Sequence, residues 1–207
     1  MKGGLVISLL VLCALSTPPQ AVGLKEARLR RETEAEDLTE DTIDFAQYQD
    51  GGKCFQTPTT YYGYYRSYLD DPVLDDMCLI AKQLGPPVNG TVAFDAAYLR
   101  NGEVVRRPNI LTPQCSTHGS NVSDCIRVPV HDSPGAEYVQ YNFLYFKCGT
   151  CAVVWTPQLA EDACVLRVTD LNNIDESCTL AYDRFCGPHK YLIYDEDVCP
   201  EVYETLQ

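Results

Sequence analysis

Cysteines constrain the fold of this chain more than any other feature. Eleven occur among its 207 residues, and all except Cys13 lie between Cys54 and Cys199. An even number of cysteines in so short a stretch is typical of a disulfide framework in an oxidising compartment, so we expect up to about five disulfides. The spacing alone leaves their pairing open.

The amino terminus indicates how the chain reaches such a compartment. Lys2 supplies a positive charge, Leu5–Leu15 is an apolar run, and Ala21-Val22-Gly23 offers small residues for cleavage. This is the pattern of a signal peptide over residues 1–23, and its apolar run is too short to span a bilayer. We therefore expect a secreted, extracellular protein.

The charge of the chain narrows the choice of partners. Asp and Glu number 29 against 16 Lys and Arg, which disfavours nucleic acid and anionic membranes because their phosphates would be repelled. Two sequons, Asn89-Gly90-Thr91 and Asn121-Val122-Ser123, predict glycosylated, exposed loops. We expect a soluble monomer.

The first residues after the signal peptide differ in character from the rest. Residues 24–53 are rich in charge and poor in aromatic side chains, which predicts an acidic arm outside the packed core. Arg28-Leu29-Arg30-Arg31 resembles a furin-type processing site and indicates cleavage after Arg31; an uncut basic cluster is the alternative. Residues 54–207 have the composition of one domain.

From Cys54 onward, aromatic and β-branched runs of strand length alternate with turn residues, as in an antiparallel β domain. The clearest hairpin alternates apolar residues from Val92 to Tyr98, turns at Asn101-Gly102 and returns through Glu103–Arg107. About seven or eight strands favour an all-β fold, either a closed barrel or a disulfide-rich sandwich. Further strands are predicted at 61–68, 126–130, 138–146, 151–155 and 164–169.

One helix is predicted after the strands. Asp175 can cap it, and Cys178, Ala181, Tyr182 and Phe185 recur at three- and four-residue spacing. Gly187-Pro188 ends it. The pattern predicts a helix from Asp175 to Cys186 that packs outside the sheet.

Three stretches of the sequence resemble the tick salivary lipocalins, the family that includes histamine-binding proteins. Tyr61–Cys78 (YYGYYRSYLDDPVLDDMC) is similar to the family's first strand and the step that follows it. Cys148–Thr169 (CGTCAVVWTPQLAEDACVLRVT) is similar to two late strands, and Asp175–Cys199 to the terminal helix and closing cysteine. The resemblance covers most of residues 54–199, and cysteine spacing is its most specific part.

This resemblance implies an eight-stranded antiparallel lipocalin barrel with a C-terminal α-helix packed outside. Such a barrel holds one small ligand, and its closure removes exposed strand edges. The resemblance also implies the disulfides Cys78–Cys199 and Cys151–Cys178. Partners stay open for Cys54, Cys115, Cys125, Cys148, Cys164 and Cys186.

In a barrel, the aromatic faces of the strands line a cavity or fill a core. Aromatic rings with polar tips suit small amines and lipids. The resemblance adds Asp71, in the Asp-Pro-Val step, as a family position that can face an amine. The candidate ligand-binding residues are Tyr62, Tyr64, Asp71, Phe94, Tyr98, Tyr141, Phe143 and Tyr145, with Trp155 as a weaker candidate; plain core packing is the alternative for each aromatic.

The sequence departs from the family where an amine would be bound. A buried ammonium needs a carboxylate to offset its desolvation. Family amine binders carry Cys-Asp-aliphatic on one late strand and Glu-Leu-Trp on the next, but this chain has Cys151-Ala152-Val153 and Cys164-Val165-Leu166-Arg167. The ligand class therefore stays open between amines such as histamine or serotonin and lipid mediators such as leukotrienes.

No motif points to catalysis. Cys148-Gly149-Thr150-Cys151 has the C-x-x-C spacing of redox enzymes, but the predicted element after it is a strand rather than a helix, so two structural half-cystines are the better interpretation. His118, His131 and His189 show no metal-ligand spacing. We expect no enzyme, no cofactor and no metal.

Two functional hypotheses follow. The leading one, implied by the resemblance, is a secreted lipocalin that sequesters a small host mediator in its barrel to blunt host defence. The alternative is a rigid barrel whose loops bind and inhibit a host protein, such as a complement, coagulation or chemokine component. Residues 106–124 are the best loop candidate.

Overall fold

A computed structural model describes residues 45–69, 77–117, 122–130 and 137–206. It contains a 3₁₀ helix (Phe45–Tyr48) and three α-helices: α1 (Gly51–Cys54), α2 (Glu176–Cys186) and α3 (Cys199–Glu204). Its strands are β1 (Thr60–Arg66), β2 (Met77–Gln83), β3 (Thr91–Arg100), β4 (Glu103–Cys115), β5 (Cys125–Pro129), β6 (Tyr138–Lys147), β7 (Cys151–Trp155), β8 (Cys164–Val168) and β9 (Tyr191–Leu192).

Strands β1 to β8 form a closed antiparallel barrel. Each strand pairs with the next along the chain, and β1 closes the sheet by pairing with both β2 and β8. The all-β, eight-stranded barrel expected from the resemblance is therefore confirmed, and the sandwich is excluded. We call the end of the barrel at Thr60 and Lys147 the lower end, and the end at Arg66 and Tyr138 the upper end.

The predicted hairpin is β3 and β4. Its turn residues Asn101 and Gly102 have φ of 54° and 81°, the left-handed conformation that a type I′ turn requires. β4 continues to Cys115 rather than stopping near Arg107, so most of the segment considered as a loop at 106–124 is strand. The Cys115–Cys125 disulfide and a bond from the Thr117 amide to Asp124 (2.7 Å) then hold the short connection to β5.

Bulges in β1 and β6 change which side chains face inward. In β1 the register against β8 shifts between Gly63 and Tyr65. In β6 the register against β7 shifts between Phe143 and Tyr145. A shift of one residue turns the following side chains to the opposite face. Phe146 consequently faces the interior, and Tyr145 faces outward.

β9 lies beside β1 at the upper end, where β2 has moved away from β1. The Ile193 amide donates to the Tyr64 carbonyl (3.0 Å), and the Cys78 amide donates to the Ile193 carbonyl (2.7 Å). Ile193 thus bridges β1 and β2, and its buried side chain belongs to the interior cluster. The C-terminal segment completes the wall of the barrel here.

Helix α2 packs outside the barrel, as predicted, and it contacts β6, β7 and β8. Asp175 caps it by accepting a hydrogen bond from the Ser177 amide (3.0 Å). The disulfides Cys151–Cys178 and Cys164–Cys186 fasten its two ends to the barrel.

Ten cysteines form five disulfides within the described residues. Cys78–Cys199 joins β2 to α3, and Cys54–Cys148 joins α1 to the turn between β6 and β7. The two pairs implied by the family resemblance are among the five. No helix in the described ranges is both long and apolar enough to cross a membrane.

The last residues of the predicted arm pack on the barrel. Phe45 contacts Phe185 and Tyr145 edge-on, with ring centroids 5.1 and 5.8 Å apart. Gly51 donates a backbone hydrogen bond to Ser123 (2.8 Å). Phe45 and Tyr48 are thus apolar anchors within the charged stretch at 24–53. Residues 1–44, including the predicted signal peptide and the site after Arg31, lie outside the described residues.

Candidate ligand cavity

A cavity lies inside the barrel between its middle and its lower end. Apart from Thr112, Arg167 and the hydroxyl of Tyr61, its lining side chains are aliphatic or aromatic. The Thr112 hydroxyl is already used, since it donates to the Val92 carbonyl (2.7 Å). The lining therefore offers a large apolar surface and two polar groups, Arg167 and Tyr61.

Phenylalanines close the lower end. Phe55, which follows α1, contacts Phe94, Phe143 and Phe146 at ring-centroid distances of 5.9, 5.8 and 5.2 Å. The cavity has a free volume of about 40 Å³, far below the roughly 300–1,000 Å³ of typical small-molecule sites. A larger ligand must move some of these rings aside.

Arg167 is the one charged side chain of this lining. It lies on β8 opposite Gly63 on one side and Ala152 on the other, at inward-facing positions. Its guanidinium lies over the Tyr141 ring, 5.1 Å from the centroid, a cation–π contact. No described carboxylate pairs with it, and its buried Nε has no hydrogen-bond partner among the described residues.

Tyr61 places a second polar group in the same cavity. Burial raises the pKa of its phenol to about 12, although the Thr59 side chain and the nearby Arg167 charge act in the opposite direction. The hydroxyl therefore stays protonated at physiological pH and can donate a hydrogen bond. Arg167 and the Tyr61 hydroxyl are thus two hydrogen-bond donors in one cavity, and they suit an anionic or hydrogen-bond-accepting group.

Several residues proposed from sequence lie inside the barrel. Phe94 and Phe143 line the cavity. Tyr98 and Tyr141 are fully buried in the same interior cluster, and Tyr141 supports the Arg167 guanidinium. Asp71 lies outside the described residues, so its relation to the cavity stays a prediction.

Other proposed residues lie on the outer face. Tyr62 packs against Tyr203 of α3, with centroids 4.9 Å apart. Tyr64 packs beside Tyr65 (5.0 Å) in the outer cluster under α2. The Tyr145 hydroxyl lies in that same cluster and forms a hydrogen bond of 2.9 Å with the Ser177 hydroxyl.

These three tyrosines point outward for two reasons. In β1 the inward positions are Tyr61 and Gly63, so the alternate set of Tyr62 and Tyr64 faces away from the cavity. In β6 the bulge after Phe143 interrupts a pattern that would otherwise turn Tyr145 inward. Trp155 is also external, and its indole donates to the Glu161 carbonyl (2.8 Å).

Among the aromatic lining residues, sequence reasoning missed three: Phe55, Tyr61 and Phe146. Phe55 is adjacent to Cys54, whose disulfide holds it at the barrel floor, but the strand pattern does not include it. Phe146 could be assigned to the interior only if the position of the bulge in β6 were known. Tyr61 pairs directly with Ala81 of β2, but the run of tyrosines at 61–68 does not show which alternate set faces inward.

The two cysteines of the C-x-x-C motif are not bonded to each other, as they would be in the oxidised form of a redox enzyme. Cys148 is bonded to Cys54 and Cys151 to Cys178. Among the described residues, no group of three or more His, Cys, Asp or Glu side chains is placed to hold a metal ion. His118 and His131 lie outside those residues, as does Asn121, whereas Asn89 is exposed in a turn.

Solved structures share this fold at low sequence identity. The serotonin complex of AM182 matches with a TM-score of 0.54 and 15% identity, over 75% of this chain and 95% of that one. Apocrustacyanin C2 matches with a TM-score of 0.55 and 10% identity, over 79% of this chain and 91% of that one. Apocrustacyanin C1 matches with a TM-score of 0.56 and 9% identity, over 80% and 93%. These similarities establish the lipocalin barrel.

Family membership rests on the sequence itself. No curated protein matches the chain. The sequence pattern of the tick histamine binding protein family matches residues 39–200, most of the chain and all eight barrel strands. With the barrel, its five disulfides and its apolar cavity, the match shows that the chain belongs to the tick histamine-binding protein family of small-ligand-binding lipocalins.

Proposed function

We propose that this protein is secreted and sequesters a small host mediator in its barrel, and that the mediator is an apolar acid, such as a lipid mediator, rather than an amine. The observation that carries the ligand class is Arg167, a cation without a carboxylate partner in an otherwise apolar cavity. Removal of such a mediator from the host would blunt its defence.

The charge of the cavity argues against a protonated amine. An ammonium placed beside Arg167 would meet a like charge in a medium where charges are weakly screened, and no described lining residue offers a carboxylate. The family name and the serotonin complex of AM182 support capture of a small molecule inside the barrel. They support an amine here only if Asp71 enters the cavity.

A carboxylate fits the same groups well. Its oxygens can accept from the Arg167 guanidinium, including the Nε that lacks a partner, and from the Tyr61 hydroxyl. The apolar tail then occupies the space among Phe55, Phe143 and Phe146 after these rings rotate aside. A cavity with a single cation at one end and apolar walls at the other is the kind of site that binds a fatty acid.

The test is calorimetric titration of oxidised protein with decanoic acid, arachidonic acid, decanol, histamine and serotonin. Calorimetry is preferable to tryptophan fluorescence because Trp155 lies outside the barrel. We expect saturable binding of the acids, weaker binding of decanol and none of the amines. Arg167→Met should weaken acid binding by roughly 10- to 100-fold, since a charge-assisted hydrogen bond contributes about 1.5–3 kcal/mol.

The matched control is Arg127→Met, since Arg127 is exposed on β5 and points away from the cavity. It should leave acid binding unchanged. Amine binding by the wild type, or acid binding that survives Arg167→Met in a folded variant, would contradict the proposed ligand class. If none of the five compounds binds, the alternative of a loop-mediated contact with a host protein gains support.

A further inference from the structure

The outer face of strands β2, β3 and β4 has two differently covered parts. In its upper part, Ile80 and Ala97 are buried under Val202, Tyr203 and Leu206 of the α3 segment. In its lower part, three large apolar side chains remain exposed: Val88 by 69%, Leu111 by 53% and Leu84 by 47%. Helix α3 therefore covers only half of this face.

The exposed side chains lie next to one another across the strands. The Leu84 amide donates to the Ala93 carbonyl (2.9 Å), and Ala93 pairs directly with Leu111 of β4. One step lower, Val88 pairs with Thr91, and Thr91 pairs with Pro113. These two rows point to the same side, because Thr91 and Ala93 are two residues apart on one strand. We call Leu84, Val88, Ala93, Leu111 and Pro113 the lower apolar face.

A polar row separates the lower apolar face from helix α3. The Lys82 ammonium donates to the Leu206 carbonyl (3.0 Å), and Asp95 accepts from the Asn109 amide (2.7 Å). The lower apolar face is therefore a separate surface rather than the rim of the α3 contact. An exposed apolar cluster of this kind calls for a cover or a partner.

The glycosylation sequon Asn89-Gly90-Thr91 lies at the edge of this face. Val88 and Thr91 exchange two backbone hydrogen bonds of 2.9 and 3.0 Å, so Asn89 and Gly90 form a tight turn between them. Asn89 has φ of 51° and Gly90 φ of 73°. The Asn89 side chain is exposed and adjoins Val88, the most exposed residue of the lower apolar face.

We propose that Asn89 carries an N-linked glycan whose first sugars lie over the lower apolar face and shield it from water and from other molecules. An N-acetylglucosamine presents C–H groups on its ring faces and a methyl group on its acetamide, which can contact Val88 and Leu111. Its hydroxyls keep the outer side hydrated. The rigid turn keeps the attachment point beside the face it covers.

The occupant of the face is thus a covalent part of the molecule rather than a second copy of the chain. A dimer through the lower apolar face would have to displace or avoid the sugar at Asn89. The proposal therefore predicts a monomer when Asn89 is glycosylated and self-association when it is not.

The experiment compares secreted wild-type protein with Asn89→Gly, both made in a eukaryotic host. Glycine is the suitable replacement because it adopts the φ of residue 89 without strain. Mass spectrometry after enzymatic deglycosylation should locate a glycan at Asn89 in the wild type. Light scattering after size-exclusion chromatography should then show a monomer for the wild type and a larger mass for Asn89→Gly, together with increased binding of an apolar dye.

Two further variants distinguish shielding from a general loss of sugar or of structure. Asn121→Gln removes the second sequon and should remain a monomer. Asn89→Gly combined with Leu111→Thr should return to a monomer, because the face has lost its central apolar side chain. An unglycosylated Asn89 in the secreted wild type would overturn the proposal, as would an Asn89→Gly protein that stays monomeric and binds no additional dye.

Discussion

Gly63 makes room for a side chain that comes from a distant part of the sequence. A Cβ at this position would lie 2.8 Å from Ile193 Cδ1 and 3.2 Å from Leu79 Cβ. Ile193 enters the barrel wall beside β1, so glycine is needed there for space rather than for an unusual backbone angle. Gly63 and Ile193 are 130 positions apart in the sequence. The residues near Gly63 therefore do not indicate that a glycine is required.

We expect Gly63→Ala to destabilise the protein by about 1–3 kcal/mol through overpacking. The effect should be measured by urea unfolding with the disulfides intact. Ile193→Val removes the Cδ1 atom that meets the new Cβ, so the double variant Gly63→Ala, Ile193→Val should recover part of the loss. Strict additivity of the two single changes would show that the contact is not responsible.

Residues next to the bulges show where sequence reasoning stops. Phe94, Phe143 and the buried Tyr98 follow plain alternation and are found inside the barrel. Tyr145 was expected beside them, but the bulge after Phe143 exchanges it for Phe146. A bulge inserts one residue into a strand and has no distinctive sequence. For residues that follow a bulge, the sequence therefore does not show which face of the sheet a side chain lies on.

Helix α2 illustrates what could be predicted at the scale of one element. Asp175, the apolar spacing and Gly187 defined both ends, and the structure agrees. Its position on the barrel follows from Cys178 and Cys186, which are bonded to neighbouring strands. The start of the domain was harder to predict, because Phe45 and Tyr48 act through contacts with Tyr145 that have no local periodicity.

The cap of helix α2 makes its stability dependent on pH. Asp175 is paired with the Lys147 ammonium at 2.6 Å and accepts from Ser177. Partial burial tends to raise the pKa of Asp175, but hydrogen bonds from Lys147 and Ser177 outweigh it and lower the pKa. A lowered folded-state pKa means that this stabilisation is present above the unfolded value, about 4, and is lost as the pH falls through the lower folded value.

We expect Asp175→Asn, which can still cap the helix, to lose less than about 1 kcal/mol at pH 7, because the pair is partly exposed. That difference should disappear as the pH falls well below 4. Urea unfolding at several pH values measures it, with Glu176→Gln as the control for an exposed charge in the same turn. A difference that stays constant down to the lowest pH would contradict the role of the charge.

At the scale of the whole molecule, the five disulfides differ in the length of chain they close. Cys78–Cys199 spans 121 residues, whereas Cys115–Cys125 spans 10. The first ties the C-terminal segment to β2 and so supports the position of β9. The second lies within a hairpin connection that strand pairing already holds.

Replacing Cys78 and Cys199 by alanine should therefore cost about 5 kcal/mol, and replacing Cys115 and Cys125 about 3 kcal/mol, from the loss of chain entropy in the unfolded state. Chemical unfolding of the two double variants measures the difference. Equal losses would indicate that native contacts, rather than loop length, determine what each disulfide contributes.

The completion of the barrel wall by Ile193 has a consequence for synthesis. A ribosome releases β1 early, but the upper edge of β1 obtains its β9 partner only after residue 193 has been synthesised. For most of translation, the nascent chain therefore carries an open strand edge, the kind of surface on which other chains assemble. A delay in the synthesis of residues 191–193 would therefore prolong the exposure of that edge.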